Sequence, residues 1–182
     1  MGAEIEWVLA VVQVPAEPSR HRVAVWRELR RAGAVLISQS TWALPATEPF
    51  RSALEKAAQL ADDGGGTLAT FDAGPRDSAS RAVLEAAFRA ARVDEWGEFL
   101  ADCGKFAEEI DREIAKEKFT FAELEEEEQS LDRLRRWFRD LKKRDVLALP
   151  EAQQAVERLA GCEGDLNRFS EHVYRATREA RA

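Results

Sequence analysis

The sequence predicts an α+β protein: a ferredoxin-like βαββαβ domain over residues 1–75, a short connecting helix over 76–92, and a three-helix antiparallel bundle over 93–182. Three observations lead there. Composition changes near residue 75, since residues 1–74 hold four of the six prolines (Pro15, Pro18, Pro45, Pro49), a glycine triplet and Val- and Trp-rich runs, whereas the remainder is charged and amphipathic. In the first part, apolar runs of strand length and helical stripes follow one another as strand, helix, strand, strand, helix, strand. In the second part, apolar residues recur at three- and four-residue steps over long stretches.

Ile5 to Val14 is a nearly continuous apolar run closed by Pro15, which is the pattern of a covered strand. Ser19 is in place to cap a helix whose stripe is Val25, Trp26, Leu29 and Ala32, with Gly33 as its stop and Arg30 and Arg31 complementing its C-terminal dipole. Ala34–Ser38 and Thr41–Leu44 are β-prone runs separated only by Gln39-Ser40, which is hairpin spacing. Thr47 or Glu48 opens a second helix through Phe50, Leu54, Ala57, Ala58 and Ala61, and Gly64-Gly65-Gly66 ends it before a last strand, Thr67–Phe71. Both helices are expected on one face of a four-stranded antiparallel sheet. Alternation along the first strand places Trp7, Leu9 and Val11 on one side and Val8, Ala10 and Val12 on the other. Both sets are apolar, so the sheet should be covered on both faces, the second by the helical part or by another chain.

After Asp72-Ala73-Gly74-Pro75, a short helix is expected near 78–92. A long one then carries Trp96, Phe99, Leu100, Cys103, Phe106, Ile110 and Ile114. Thr120 with Glu123 fits a capping box and Phe119 with Leu124 a hydrophobic staple, ahead of the stripe Leu124, Leu131, Leu134, Phe138 and Leu141. Pro150 opens the last helix, with Ala152, Val156, Leu159, Cys162, Leu166, Phe169 and Val173 along one side.

With 27 Lys and Arg against 34 Asp and Glu, the net charge is −7, which disfavours a general nucleic-acid coat or an anionic membrane surface as partner. The apolar run near the start is too short for a membrane span and lacks a basic leader, so a cytoplasmic protein is expected. Cys103 and Cys162 form no C-x-x-C and are joined by only two His in the whole sequence, so neither a zinc site nor a disulfide framework is indicated. Both lie in apolar stripes and read as buried structural thiols, which would approach each other if the stripes share a core. The glycine triplet lacks the Lys-Ser/Thr ending of a phosphate loop and precedes its strand. No nucleophile–base constellation is visible, and no cofactor or metal is implied.

The stretch Pro15 to Ala46, PAEPSRHRVAVWRELRRAGAVLISQSTWALPA, resembles the amino-terminal domain of the chromate-resistance protein ChrB. Its features are a strand, a helix with W-R-x-L, and a G-A-x hairpin ending in W-x-L-P. Lys118–Glu126 (KFTFAELEE) and Leu134-Arg135-Arg136-Trp137 extend the likeness over most of the chain. The resemblance implies a part in chromate response, full-length members being regarded as chromate-sensitive regulators of an operon that encodes a chromate efflux transporter. Those members continue into a separate carboxy-terminal domain, whose properties are not carried over here. The hairpin segment is also similar to the middle domain of PaaX-type repressors and to the small ribonucleases of CRISPR adaptation. Those ribonucleases place a metal-binding Asp at the end of the first strand, where this chain has Gln13-Val14-Pro15.

Two basic regions are the candidate sites. At the start of the first helix, Ser19, Arg20 and Arg22 are placed to meet an anion such as chromate, sulfate or a nucleic-acid phosphate, because free amides and the helix dipole favour negative charge there. Arg27, Arg30 and Arg31 extend this into a patch of five Arg against Glu17 and Glu28, inside a domain of 7 basic and 9 acidic residues. The second region runs from Arg133 to Arg144, where Arg135, Arg139 and Lys142 share a face by spacing and Trp137 lies among them. Each has a plainer account, an exposed turn or a solvated helix face paired with neighbouring acids. The leading reading is a non-enzymatic protein acting through DNA, oxyanion or protein contacts. A ferredoxin-like nuclease or other phosphate-handling enzyme is the second, and a homodimeric interaction module built on an open sheet face is the third.

Overall fold

The structure, a computed structural model, describes residues 5–180. Its elements are β1 (Trp7–Gln13), α1 (Ser19–Ala32), β2 (Val35–Ser38), β3 (Thr41–Pro45), α2 (Glu48–Asp63), β4 (Thr67–Ala73), α3 (Ser78–Ala115), α4 (Phe121–Arg144) and α5 (Pro150–Glu179). The protein is therefore α+β, with a four-stranded antiparallel sheet and five helices among the described residues. Two compact units divide it, one through Arg92 and one from Val93 onward.

In the first unit the strands lie in the order β2-β3-β1-β4, with β1 antiparallel to both β3 and β4. The β2–β3 hairpin turns at Gln39-Ser40, with Leu36 opposite Trp42 and a bulge between Leu36 and Ser38. Register places Val8, Ala10 and Val12 on one face with Leu44, Trp42 and Thr70. This is the helix-covered face, because Val8 and Thr70 lie beside Arg51 and Leu54 of α2, and Val12 and Trp42 beside Val25 and Trp26 of α1. The opposite face is covered only in part. Trp7 is buried against Phe88 of α3, at 5.6 Å between ring centroids, but Phe71, which is paired with Leu9, is 56% exposed. Phe88 of α3 meets Trp7 at one end of this face, which leaves Phe71 open in the single chain.

Ser19 does not cap α1. It is the first helical residue, and Pro18, extended at φ −74° and ψ 136°, holds the cap position with no side-chain hydrogen bond. A proline has no N–H to satisfy and its ring fixes φ, so it stands at the helix boundary and moves Ser19 inward. At the other end Gly33 adopts φ 92°, the left-handed conformation that ends a helix at low cost only in glycine. The Gly33 carbonyl accepts from Arg92 Nη1 at 2.7 Å, and the buried Arg92 guanidinium lies over the Phe88 ring.

The short connecting helix over 76–92 and the first bundle helix are one continuous helix, α3. Val93-Asp94-Glu95 contains no breaker, and a Cβ at Gly97 or Gly104 would meet nothing within 4 Å, so neither glycine marks a break or a close approach. In the second unit, α3 from Val93, α4 and α5 share one core of Trp96, Phe99, Cys103, Ile110, Leu131, Cys162, Phe169 and their neighbours. Val156 is exposed, and Ala155 takes its place, because Ala155 lies seven residues, about two full turns, before Cys162 and so shares its face, whereas Val156, six before it, is rotated off that face. Thr120 caps α4, its hydroxyl accepting from the Glu123 N–H at 3.3 Å; the Glu123 carboxylate turns to Lys118 instead of back to the cap.

Candidate functional site

Of the sequence-derived candidates, Ser19, Arg20, Arg22 and Arg27 lie on α1 in the first unit, and Arg135, Arg139 and Lys142 on α4 in the second. On α1, Val25, Glu28 and Leu29 are buried, which leaves Arg22, Trp26 and Arg30 as an outward row at four-residue spacing with Val23 and Arg27 beside it. Trp26 is 47% exposed, and Arg30 lies over its ring at 5.4 Å. Among the described residues neither Arg22 nor Arg27 has an ion pair, and Arg20 is turned toward His21, its Nε 3.2 Å from His21 Nε2. Arg31 is neutralised by Glu28. The row combines fixed positive charge with an open indole, which is the pairing that phosphates and stacked bases require.

Beside this row is a cavity of about 850 Å³, bounded by the end of β1, the hairpin turn and the loop after α2. Arg22, Val23 and Trp26 line it from α1, and Gln13, Gln39, Ser40 and Thr67 reach it from the sheet side. Gly65 and Gly66 of the glycine triplet are part of its lining. A Cβ on Gly66 would fall 2.3 Å from the Gln13 carbonyl oxygen, and one on Gly64 2.6 Å from His21 Cβ, so these two glycines let the loop press against β1 and α1.

The α4 region is less free. Arg135 is held by Glu163 at 2.8 Å and Asp132 at 3.1 Å, bonds that raise its pKa. Lys143 pairs with Asp140 and Arg144 with Glu95. Arg139 and Lys142 remain exposed without ion pairs among the described residues, but Trp137 packs edge-on against Phe99 at 5.5 Å instead of standing open.

The family model described as "Protein ChrB, N-terminal" matches residues 22–180, which is most of the chain. The chain belongs to the ChrB amino-terminal family. Membership relates it to chromate resistance. No curated protein and no solved structure matches it. The matched stretch opens at Arg22 and takes in the rest of α1, the hairpin and the second unit as far as residue 180.

Within this ChrB-type chain the two thiols meet in the second core, where Cys162 Sγ donates to the Cys103 carbonyl at 3.5 Å. Their mutual hydrogen bond and burial push the Cys103 thiol up, while the same bond draws Cys162 down. Among the described residues no three His, Cys, Asp or Glu side chains are grouped as a metal site, and no helix is long and apolar enough to cross a membrane. The exposed Trp26 is the site residue that stripe reading assigns to the apolar face. Its spacing from Arg22 and Arg30 is the signal in the sequence that marks the outward row.

Proposed function

We propose that this ChrB-family chain is a chromate-responsive regulatory or resistance protein that contacts nucleic acid through α1, on a fold we read as ferredoxin-like and followed by a three-helix bundle. The observation that carries the reading is the row Arg22, Trp26 and Arg30, with Arg22 and Arg27 free of carboxylate partners in a chain whose net charge is −7. In so acidic a protein, unpaired cations beside an open indole are a local departure that a phosphate backbone fits. Ser19 and Arg20 flank the row, and Arg139 and Lys142 are a weaker second contact, since Arg135, one turn before Arg139 on the same face, is already neutralised.

Fluorescence anisotropy with duplex DNA from upstream of the gene tests this. Each phosphate contact steepens log K against log salt by about 0.9, so replacing Arg22 and Arg27 by Ala should weaken binding and flatten the slope by about two units. Replacing Arg139 and Lys142 should change it less. Chromate, but not equal sulfate, should release the DNA. An unchanged slope in the α1 variant would overturn the assignment to α1, and an equal response to both anions the chromate assignment.

A further inference from the structure

We propose that the cavity beside α1 takes one nucleotide, its base against Trp26 and its phosphate at Arg22. The proposal rests on the reading of α1 as the phosphate-contacting helix and adds the class of ligand. The volume, about 850 Å³, is that of a small-molecule site. A tetrahedral oxyanion alone would fill a small part of it and would have no use for its apolar walls. Three of the large hydrophobic side chains that the chain leaves exposed, Val23, Trp26 and Leu36, all line this one cavity. Apolar surface that converges on a concave site while the neighbouring helix is cationic calls for a ligand with a flat apolar body and a negative charge.

The polar lining narrows the class further. Gln13 and Gln39 each offer an amide donor and an amide acceptor, and Ser40 and Thr67 offer hydroxyls; among the described residues none of these four side chains is engaged in a hydrogen bond within the chain. These four side chains are exposed and available, and their mixed donors and acceptors match the edge of a nucleobase, which a hydrocarbon or a simple aromatic acid does not present. Trp26 supplies the stacking plane and Arg22 the charge-assisted donors for phosphate. Free nucleotides and unpaired strands both present this chemistry.

Calorimetry on the full chain decides it, with adenosine 5′-monophosphate, adenosine, inorganic phosphate and a single-stranded tetradeoxyadenylate as probes. The monophosphate should bind more tightly than adenosine, and inorganic phosphate should give no heat at the same concentration. Trp26→Ala should cost about tenfold in affinity and Trp26→Phe much less, since a base stack is worth ~1–3 kcal/mol. Arg22→Ala should abolish the advantage of the monophosphate over adenosine. A tetranucleotide that binds more tightly than the monophosphate identifies a strand as the source, and equal affinity a free nucleotide. Heats unchanged in Trp26→Ala, or no heat with either nucleotide probe, would overturn the proposal. If duplex binding and its α1 salt slope persist in that case, the α1 reading stands without it; if duplex binding is absent while the monophosphate binds, the reverse holds.

Discussion

Two buried carboxylates of this protein titrate in opposite directions, and the difference lies in what faces them. Glu28, on α1, meets Arg31 at 2.6 Å and Lys56 of α2 at 3.3 Å. Burial raises its pKa, but the hydrogen bonds and charges of Arg31 and Lys56 outweigh this and lower it overall. Its stabilising effect is therefore present above the ordinary value of 4.5 and is lost as pH falls through the lowered one. Glu28→Gln should cost about 1 kcal/mol at pH 7, an amount kept small because both cations are largely exposed, and the gap to the parent should close in acid melts. Glu127, on α4, has the reverse balance: burial, then the charges of Glu109, Glu126, Glu113 and Glu123, raise its pKa. A raised carboxylate weakens the fold once it ionises, so Glu127→Gln should raise Tm at pH 7, by ~2–4 °C if worth about 1 kcal/mol, with the gain shrinking as pH drops toward 4.5. A variant that melts lower than the parent at pH 7 would show that Glu127 has a cationic partner.

Glycines in two elements separate close approach from mere permissiveness. At Gly66 a Cβ would stand 2.3 Å from the Gln13 carbonyl oxygen and 2.8 Å from Val14 Cα, and backbone cannot swing aside. Gly66→Ala should lower stability by ~1–3 kcal/mol and deform the mouth of the cavity. Within α3, Gly97 has nothing within 4 Å of its Cβ position, and Gly97→Ala should stabilise by ~0.4–1 kcal/mol. Paired thermal melts check both signs. The elements themselves are largely legible in the sequence: β1 from an unbroken apolar run, the hairpin from the two residues between Val35–Ser38 and Thr41–Leu44, α4 from Thr120 and Glu123. The joined length of α3 is not legible, because the change in apolar phase between Phe88 and Trp96 resembles a break that no Gly or Pro makes. The cavity is not legible either. Gln13 and Thr67 come from the ends of two strands and Gln39 from the hairpin turn, and only the antiparallel register of β1 with β3 and β4 brings them together.

At the scale of the whole molecule, the first unit depends on the start of α3. Phe88 is fully buried against Trp7 and Phe50, and Arg92 holds the carbonyl at the end of α1. A fragment of residues 1–92 should therefore melt cooperatively, while one of residues 1–75 should lose ~3–5 kcal/mol, the cost of deleting a buried aromatic. Circular dichroism of the two fragments compares them directly, and equal melts would show that α3 contributes nothing to the sheet. The distribution of the five tryptophans has an optical consequence. Trp7, Trp42 and Trp96 are almost wholly shielded, Trp137 is partly so, and Trp26 stands in the open beside a guanidinium. The long-wavelength edge of the emission should come from that one ring, and iodide, drawn by the neighbouring arginines, should quench it ahead of the rest. Loss of the quenchable fraction in Trp26→Phe would confirm the assignment, and the protein would then carry at the mouth of its cavity a built-in lamp that dims or brightens when anything settles there.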